Sequence, residues 1–250
     1  MPFKMKKFII NIYLLIFSSA NQLSFAEEFN VILPQEDPWA FPMPLAQAPN
    51  AYSGILIDLL KEFEKRSGHH VNISISSPSR TIVSLQEGRS DFSIMIWVKN
   101  HDQYAIKGVN LFPIHIGIRA KKGVRVIRYD NLKEITTSIP RGLEIETEFD
   151  QDKTLKKDEV LDYTVAIKKT ALNRDSQAVA GSLATINYII KKLNLKNEFG
   201  DTFLLGTTHL SIHFSKNSLK KPYYEKINGI FKTMLEDGTV TNNLESNVII

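Results

Sequence analysis

Hydrophobic positions in the first hundred residues alternate between two spacings. Short apolar runs and every-second-residue alternation predict strands, whereas recurrence every three or four residues predicts helices. The predicted elements are a strand at 29–33, a helix at 53–68, a strand at 71–75, a helix at 77–88 and a strand at 91–96. This order is typical of a doubly wound α/β sheet, in which helices cover the faces of parallel strands.

The rest of the chain repeats this alternation less regularly. Apolar runs predict strands at 114–118, 135–139, 177–181 and 204–214. Helical spacing predicts helices at 162–172, 182–193 and 222–238, the last with a proline at its start and a glycine at its end. No flexible linker separates the two halves. We therefore expect two α/β lobes that are joined by strands.

The N-terminal segment has the pattern of a secretory signal peptide. Three lysines precede an apolar run at residues 8–17, and the small residues Ser24 and Ala26 mark a cleavage site. The alternative is an N-terminal membrane anchor, for which the run is short. We expect cleavage of residues 1–26 and a periplasmic location for the remaining chain.

Charge and composition exclude several classes of function. Of the 31 basic side chains three lie in the signal peptide, which leaves 28 against 27 acidic ones, too balanced for a nucleic-acid-binding surface. The chain has no cysteine, hence neither a thiol nucleophile nor a zinc–thiolate site. His209 and His213 lie on a predicted strand, where four residues span about 13 Å, too far to share one metal ion. We expect no metal, no cofactor and no catalytic residue.

Two large aromatic residues lie in a proline-rich loop after the first predicted strand. Ligands of open α/β sheets bind at the carboxyl ends of the strands, which is where Trp39 and Phe41 lie. Prolines on either side restrict the loop, so the rings can be presented for stacking at low entropic cost. We predict that they bind ligand; the alternative is that they pack under their own loop.

Four stretches, in the same order, resemble the family 3 extracellular solute-binding proteins. They are SGILIDLLKEFEKRSGHHVNI, LQEGRSDFSIMI, SQAVAGSLATINYII and YYEKINGIFKTMLEDGTV. The resemblance covers nearly the whole chain after the signal peptide. It implies a two-lobed clamp with residues 27–115 plus 212–250 in one lobe and 116–211 in the other. Two crossing strands near 114–117 and 210–212 would form the hinge.

The resemblance also implies which residues face the ligand. The arginine that grips an amino acid's carboxylate in the family aligns with Gln103. A glycine that the family follows with serine or threonine aligns with Gly142, which is followed here by Leu143 and Glu144. The aspartate that binds the ammonium group aligns with Ser182. With these anchors altered, common amino acids are expected to bind weakly.

Other side chains offer replacement anchors. Arg80 lies near the start of the helix at 77–88, where a guanidinium suits an anion, although it could equally be an exposed surface arginine. Arg141 is a weaker candidate from the opposite lobe, and Lys99 or His101 could compensate for Gln103. We expect a ligand that has a planar or apolar body and one anionic group.

These patterns predict a monomeric periplasmic solute-binding protein that delivers a small solute to an inner-membrane ABC transporter permease. It is not expected to be an enzyme. One alternative is a dehydratase-like enzyme on the same scaffold, for which Glu144 is a weak candidate acid. The other is a ligand sensor that docks on a membrane receptor. Neither the ligand nor the choice between transport and sensing follows from the sequence.

Overall fold

The computed structural model describes residues 26–43, 51–172 and 174–242, with only the backbone described for Lys99. The predicted signal peptide lies outside these ranges except for Ala26. Within the described ranges the chain forms ten strands and six α-helices. The strands are β1 (Glu28–Pro34), β2 (Phe41–Pro42), β3 (Tyr52–Ser53), β4 (His70–Ser76), β5 (Phe92–Ile96), β6 (Ala105–Lys121), β7 (Thr136–Pro140), β8 (Lys156–Val160), β9 (Ala178–Ser182) and β10 (Phe199–Ser215). The helices are α1 (Ile55–Ser67), α2 (Pro78–Gln86), α3 (Thr147–Gln151), α4 (Tyr163–Ala171), α5 (Leu183–Lys192) and α6 (Tyr224–Glu236).

Eight strands form one continuous sheet in the order β4-β1-β5-β10-β6-β9-β7-β8. Its two middle strands, β6 and β10, are antiparallel and each 17 residues long. β5 pairs with β10 at Leu210–Phe214, whereas β9 pairs with β6 at Ile116–Ala120. The long pair therefore contributes one end to each half of the sheet.

Each half of the sheet continues with parallel strands on the outer side of the long pair. β1 is parallel to β4 and β5, and β7 is parallel to β8 and β9. This arrangement confirms the prediction of a two-lobed α/β fold that is joined by two crossing strands. The residue boundaries of the lobes given above stay a prediction.

The first lobe has an aromatic core. The rings of Phe63 in α1 and Phe231 in α6 stack at 4.9 Å, and Phe92 of β5 packs against both. In the second lobe, aliphatic side chains such as Ile167 and Ile190 pack α4 and α5 against β9. Phe63 and Ile190 are among the positions that recur at helical spacing in the sequence, because the apolar face of each helix covers the sheet.

Some elements differ from the sequence prediction. The strand predicted at 114–118 is the middle of the longer β6, and β8 was not predicted. β8 has the sequence KKDEV and lies at the edge of the sheet, where charged side chains remain in solvent. The helix predicted from Pro222 begins at Tyr224, after a short 3₁₀ turn at Lys221–Tyr223. No helix in the described ranges is both long and apolar enough to cross a membrane.

Candidate functional site

A cavity of about 120 Å³ lies between the two lobes. The first lobe contributes residues from the ends of β1 and β5, from α1 and α2 and from the segment that follows β5. The second lobe contributes the loop after β7 and the start of α5. Most of the lining side chains are apolar, and the others are Glu36, Trp39, His101, Glu144 and Ser182.

Trp39 connects the first lobe to the second. The ring is 5% exposed and lies 5.7 Å from the ring of Phe112. Its Nε1 donates a hydrogen bond to Thr185 Oγ1 at 3.1 Å, and Thr185 Oγ1 donates to Glu36 Oε1 at 2.7 Å. The loop after β1 thus holds the first turn of α5. Trp39 both lines the cavity and packs against the protein. The predicted contact with ligand and the alternative of a packing role are therefore compatible.

Gly54 allows the start of α1 to hold this loop in position. The first helical residues of α1 donate from Ile55 N to Pro38 O at 3.1 Å and from Leu56 N to Trp39 O at 2.9 Å. Gly54 has φ 125°, and a Cβ there would overlap the Trp39 carbonyl. A glycine is required because α1 starts directly against the backbone that carries the tryptophan.

Glu36 is a half-buried carboxyl at the edge of the cavity. Loss of water raises its pKa to about 7, against the opposing effect of the hydrogen bond from Thr185, and the charge of Asp37 adds to the rise. Asp37 itself pairs with Lys192 of α5 at 2.6 Å. Lys192 Nζ also lies 5.6 Å from the Phe41 ring centre, so this ion pair and cation–π contact form a second connection between the loop and α5.

His101 belongs to a hydrogen-bonded pair beneath the cavity. Its Nδ1 lies 3.1 Å from His213 Nε2, and His213 Nδ1 lies 3.0 Å from the carbonyl oxygen of Ser211. A carbonyl can only accept, so His213 carries its proton on Nδ1 and accepts through Nε2 from His101 Nδ1. Burial lowers the pKa of His101 to about 4 and that of His213 to about 3, so both rings are neutral at pH 7.

The second lobe faces this pair with Gly142, Glu144 and Ser182. Gly142 has φ 76°, and a Cβ there would lie 3.7 Å from Ser79 Oγ of α2 across the cleft. Glu144 lines the cavity, and burial together with the charge of Glu144 raises the pKa of Tyr104. Ser182 is buried and caps α5 by accepting from Thr185 N at 3.3 Å.

The structure brings together three of the seven predicted ligand-binding residues: Trp39, Gly142 and Ser182 line the cavity. The other four, Phe41, Arg80, Gln103 and Arg141, are not among its lining residues.

The reasons differ for these four residues. Phe41 is half-buried beside Lys192 of α5. Arg80 is exposed in the first turn of α2, and Arg141 is exposed before the turn at Gly142. Gln103 is exposed at the end of a 3₁₀ helix, Lys99–Gln103, in which His101 is the residue that lines the cavity. The side chain of Lys99 lies outside what the structure describes.

Sequence reasoning missed Glu36 and Thr185. The signal for Glu36 was an acidic residue two positions after β1, at the carboxyl end of a central strand, where ligands of α/β sheets bind. Thr185 gave no comparable signal, because its role depends on a contact with a residue 149 positions away.

A wider groove of about 1030 Å³ adjoins the cavity and shares Ile96, Val98, Leu143 and Glu144 with it. Its second-lobe wall is rich in carboxylates: Glu144, Glu146, Asp150, Asp152 and Glu159. The basic residues described in the same wall are Lys153 and Lys157. The approach to the cavity is therefore acidic.

No protein-family model and no curated protein matches the chain. Several solved structures do match. A mutant of ArgBP from T. maritima is 19% identical, with 88% of this chain and 94% of that chain covered and a TM-score of 0.73. The GluR0 ligand-binding core in complex with L-glutamate is 17% identical, with 90% and 100% covered and a TM-score of 0.75.

A histidine kinase sensor domain with similarity to periplasmic binding proteins is 12% identical, with 87% of this chain and 94% of that chain covered and a TM-score of 0.75. At these identities the likeness concerns the fold. It confirms the fold that the resemblance to family 3 solute-binding proteins implied. The chain has the two-lobed architecture of the periplasmic binding proteins.

Proposed function

We propose that the chain is a solute-binding protein that closes its lobes around a small molecule in the interlobe cavity. The observation that carries this proposal is the contact of Thr185 with Glu36 and Trp39, which connects the lobes beside a cavity that remains between them. Structures of similar fold include an ancestral arginine-binding protein bound to arginine and the substrate-binding protein of an amino acid ABC transporter. Trp39, Gly142 and Ser182 contact the ligand, joined by Glu36 and His101.

The proposal includes export and delivery. The lysines, the apolar run and the small residues at the N-terminus support cleavage after Ala26 and a periplasmic location. An exported monomer that closes on its ligand would present the closed form to an inner-membrane ABC permease. Docking on a membrane receptor as a ligand sensor is the alternative form of this role, and a histidine kinase sensor domain has a similar fold.

Catalysis is the second candidate, and one observation favours it. Glu36 has a pKa of about 7, which suits a general acid. Another structure of similar fold is the ancestral amino acid-binding protein AncCDT-1, a precursor of cyclohexadienyl dehydratase. Binding is preferred because the Thr185 hydrogen bond occupies one oxygen of this carboxyl and connects the lobes. Recovery of a bound solute in chemically unchanged form would distinguish binding from turnover.

Ligand is expected to make the particle more compact. The solute retained by purified protein can be identified by native mass spectrometry, removed by unfolding and refolding, and then added back. Small-angle scattering should give a smaller radius of gyration with that solute than without it, because hinge closure moves the lobes together. An unchanged radius at saturating solute would contradict the clamp.

The mature N-terminus is a separate test of export. Protein recovered from the periplasm should begin at Glu27, because signal peptidase cuts after small residues such as Ala26. Edman sequencing or intact mass decides the point. Mature protein that still carries Met1 would contradict the export proposal and leave the binding proposal unaffected.

A further inference from the structure

We propose that the cavity selects a small organic amine in its cationic form, with a compact apolar body and no carboxylate. The inference rests on the proposed solute-binding function and names its ligand class. It departs from the anionic ligand expected from Arg80, since Arg80 is exposed and outside the cavity.

The charges around the cavity favour a cation. Among its described lining residues there is neither lysine nor arginine, whereas Glu36 and Glu144 are both present. A ligand carboxylate placed here would lose its hydration without gaining a cationic partner, which is a heavily unfavourable exchange. An ammonium group would gain a carboxylate partner instead.

One carboxylate oxygen of Glu36 can accept a hydrogen bond from the ligand. Its Oε1 accepts from Thr185 Oγ1 at 2.7 Å, whereas its Oε2 has no hydrogen-bond partner among the described residues. The contact with Thr185 holds the carboxyl in place and leaves the second oxygen for a donor. An ammonium group carries up to three N–H donors and makes a charge-assisted hydrogen bond with such an oxygen.

His101 adds an acceptor to the same cavity. The series Ser211 carbonyl, His213 and His101 fixes the proton of His101 on Nδ1, so its Nε2 carries a lone pair. That Nε2 has no partner in the part of the chain that the structure describes. A neutral imidazole whose other nitrogen is already donating favours a ligand N–H over a ligand oxygen anion.

The rest of the lining sets the size and character of the ligand. Leu56, Ile82, Ile94, Ile114 and Leu210 form an apolar wall next to Trp39. A dry cavity of about 150 Å³ holds a molecule the size of benzene, so about 120 Å³ suits a body of five or six heavy atoms. The acidic groove beside the cavity would concentrate cations at its entrance.

Binding of such a cation is coupled to release of the proton of Glu36. The groups that face Glu36 are Asp37 on its own loop, with Lys192 paired to it, Tyr163 and Thr185 from the second lobe, and His101 and Glu144 in the lining of the same cavity. With its pKa at about 7, Glu36 is partly protonated at pH 7 when the lobes are in contact and no ligand is bound. A bound cation favours the ionised carboxyl, so the amine should release protons at this pH, and its affinity should fall as the pH drops below 7.

Calorimetric titration with four matched compounds tests the selectivity. The compounds are 3-methylbutylamine, leucine, 3-methylbutanol and 3-methylbutanoate. Leucine is the amine with a carboxylate added, whereas the alcohol and the acid replace the ammonium with a neutral and an anionic group. We expect the amine to bind at least tenfold more tightly than each of the other three. Titration in two buffers of different ionisation enthalpy should show proton release for the amine and none for the alcohol.

Glu36→Gln should weaken amine binding at least tenfold and eliminate proton release, because the amide keeps its shape and its acceptor for Thr185 but not its charge. Glu225→Gln, on the exposed face of α6, is the matched control and should change neither quantity. The thermal unfolding midpoint of each variant verifies that it is folded.

Tighter binding of leucine or 3-methylbutanoate than of the amine would overturn the inference and leave the solute-binding proposal standing. Unchanged amine affinity in Glu36→Gln, or the absence of amine binding, would also overturn it. Failure of the purified protein to retain or bind any solute would overturn both.

Discussion

Replacement of Gly54 with alanine is expected to lower the free energy of unfolding by about 3 kcal/mol or more and to abolish ligand binding. The new Cβ would overlap the carbonyl of Trp39, and a φ of 125° is itself unfavourable for alanine. To remove this overlap, either α1 or the loop after β1 has to move. Either movement breaks the bonds from Ile55 N and Leu56 N and displaces the tryptophan from the cavity wall.

Urea unfolding and calorimetry measure the two effects. Gly229→Ala is the matched control, because Gly229 lies within α6 and, apart from its neighbours in the chain and the backbone of its own helix, no described heavy atom comes within 4 Å of a Cβ built there. It should stabilise the protein by up to about 1 kcal/mol, since alanine is the better helix former. If Gly54→Ala unfolds at the wild-type urea concentration and binds normally, the loop does not depend on the close approach of α1.

Most of the fold could be predicted from the sequence because it depends on local periodicity. The apolar face of α1 recurs every three or four residues, and the helix ends at Gly68, which has the left-handed φ of 68° that glycine tolerates. The alternation in β4 and the apolar run of β5 were equally clear. β8 was missed because an edge strand of mostly charged residues contributes little to the core and carries no apolar pattern.

The site was less predictable because it depends on which residues meet across the cleft. Trp39 could be placed at the cavity from its position after β1 alone. Arg80 occupies the expected first turn of α2, but the sequence does not indicate which side of that turn faces the cleft. Gln103 and His101 are two residues apart in a 3₁₀ helix, and with about three residues per turn they project from different faces of it.

Glu36 shows why a functional carboxyl can be hidden in a sequence. In the alignment with the family it occupies no known anchor, and in a proline-rich loop an acid is usually solvated. Its environment is set by Thr185 from the other lobe and by the loss of water when the lobes meet. The same environment has an energetic consequence that can be measured without any ligand.

With the lobes in contact as described here and no ligand bound, Glu36→Gln is expected to stabilise the protein at pH 8 by about 3 kcal/mol and to have a much smaller effect at pH 5. The folded protein holds the proton of Glu36 up to a pKa of about 7, whereas the unfolded chain releases it near 4.5. Between these values the folded state binds more protons, so stability from this group falls as the pH rises. The loss is complete above pH 7, where wild type carries an ionised carboxyl in a site that is poor in water.

Glutamine does not ionise, and its side-chain carbonyl can still accept from Thr185. The variant therefore does not lose stability as the pH rises through 7. At pH 5 the wild-type carboxyl is protonated and resembles the amide. Urea midpoints of wild type and variant at pH 5, 6, 7 and 8 should therefore diverge in the direction of higher pH, while Glu225→Gln should follow wild type throughout. A gap between wild type and Glu36→Gln that stays constant from pH 5 to pH 8 would show that the carboxyl is already solvated. A carboxyl that weakens the empty protein at neutral pH is the arrangement expected where a bound cation supplies the missing partner.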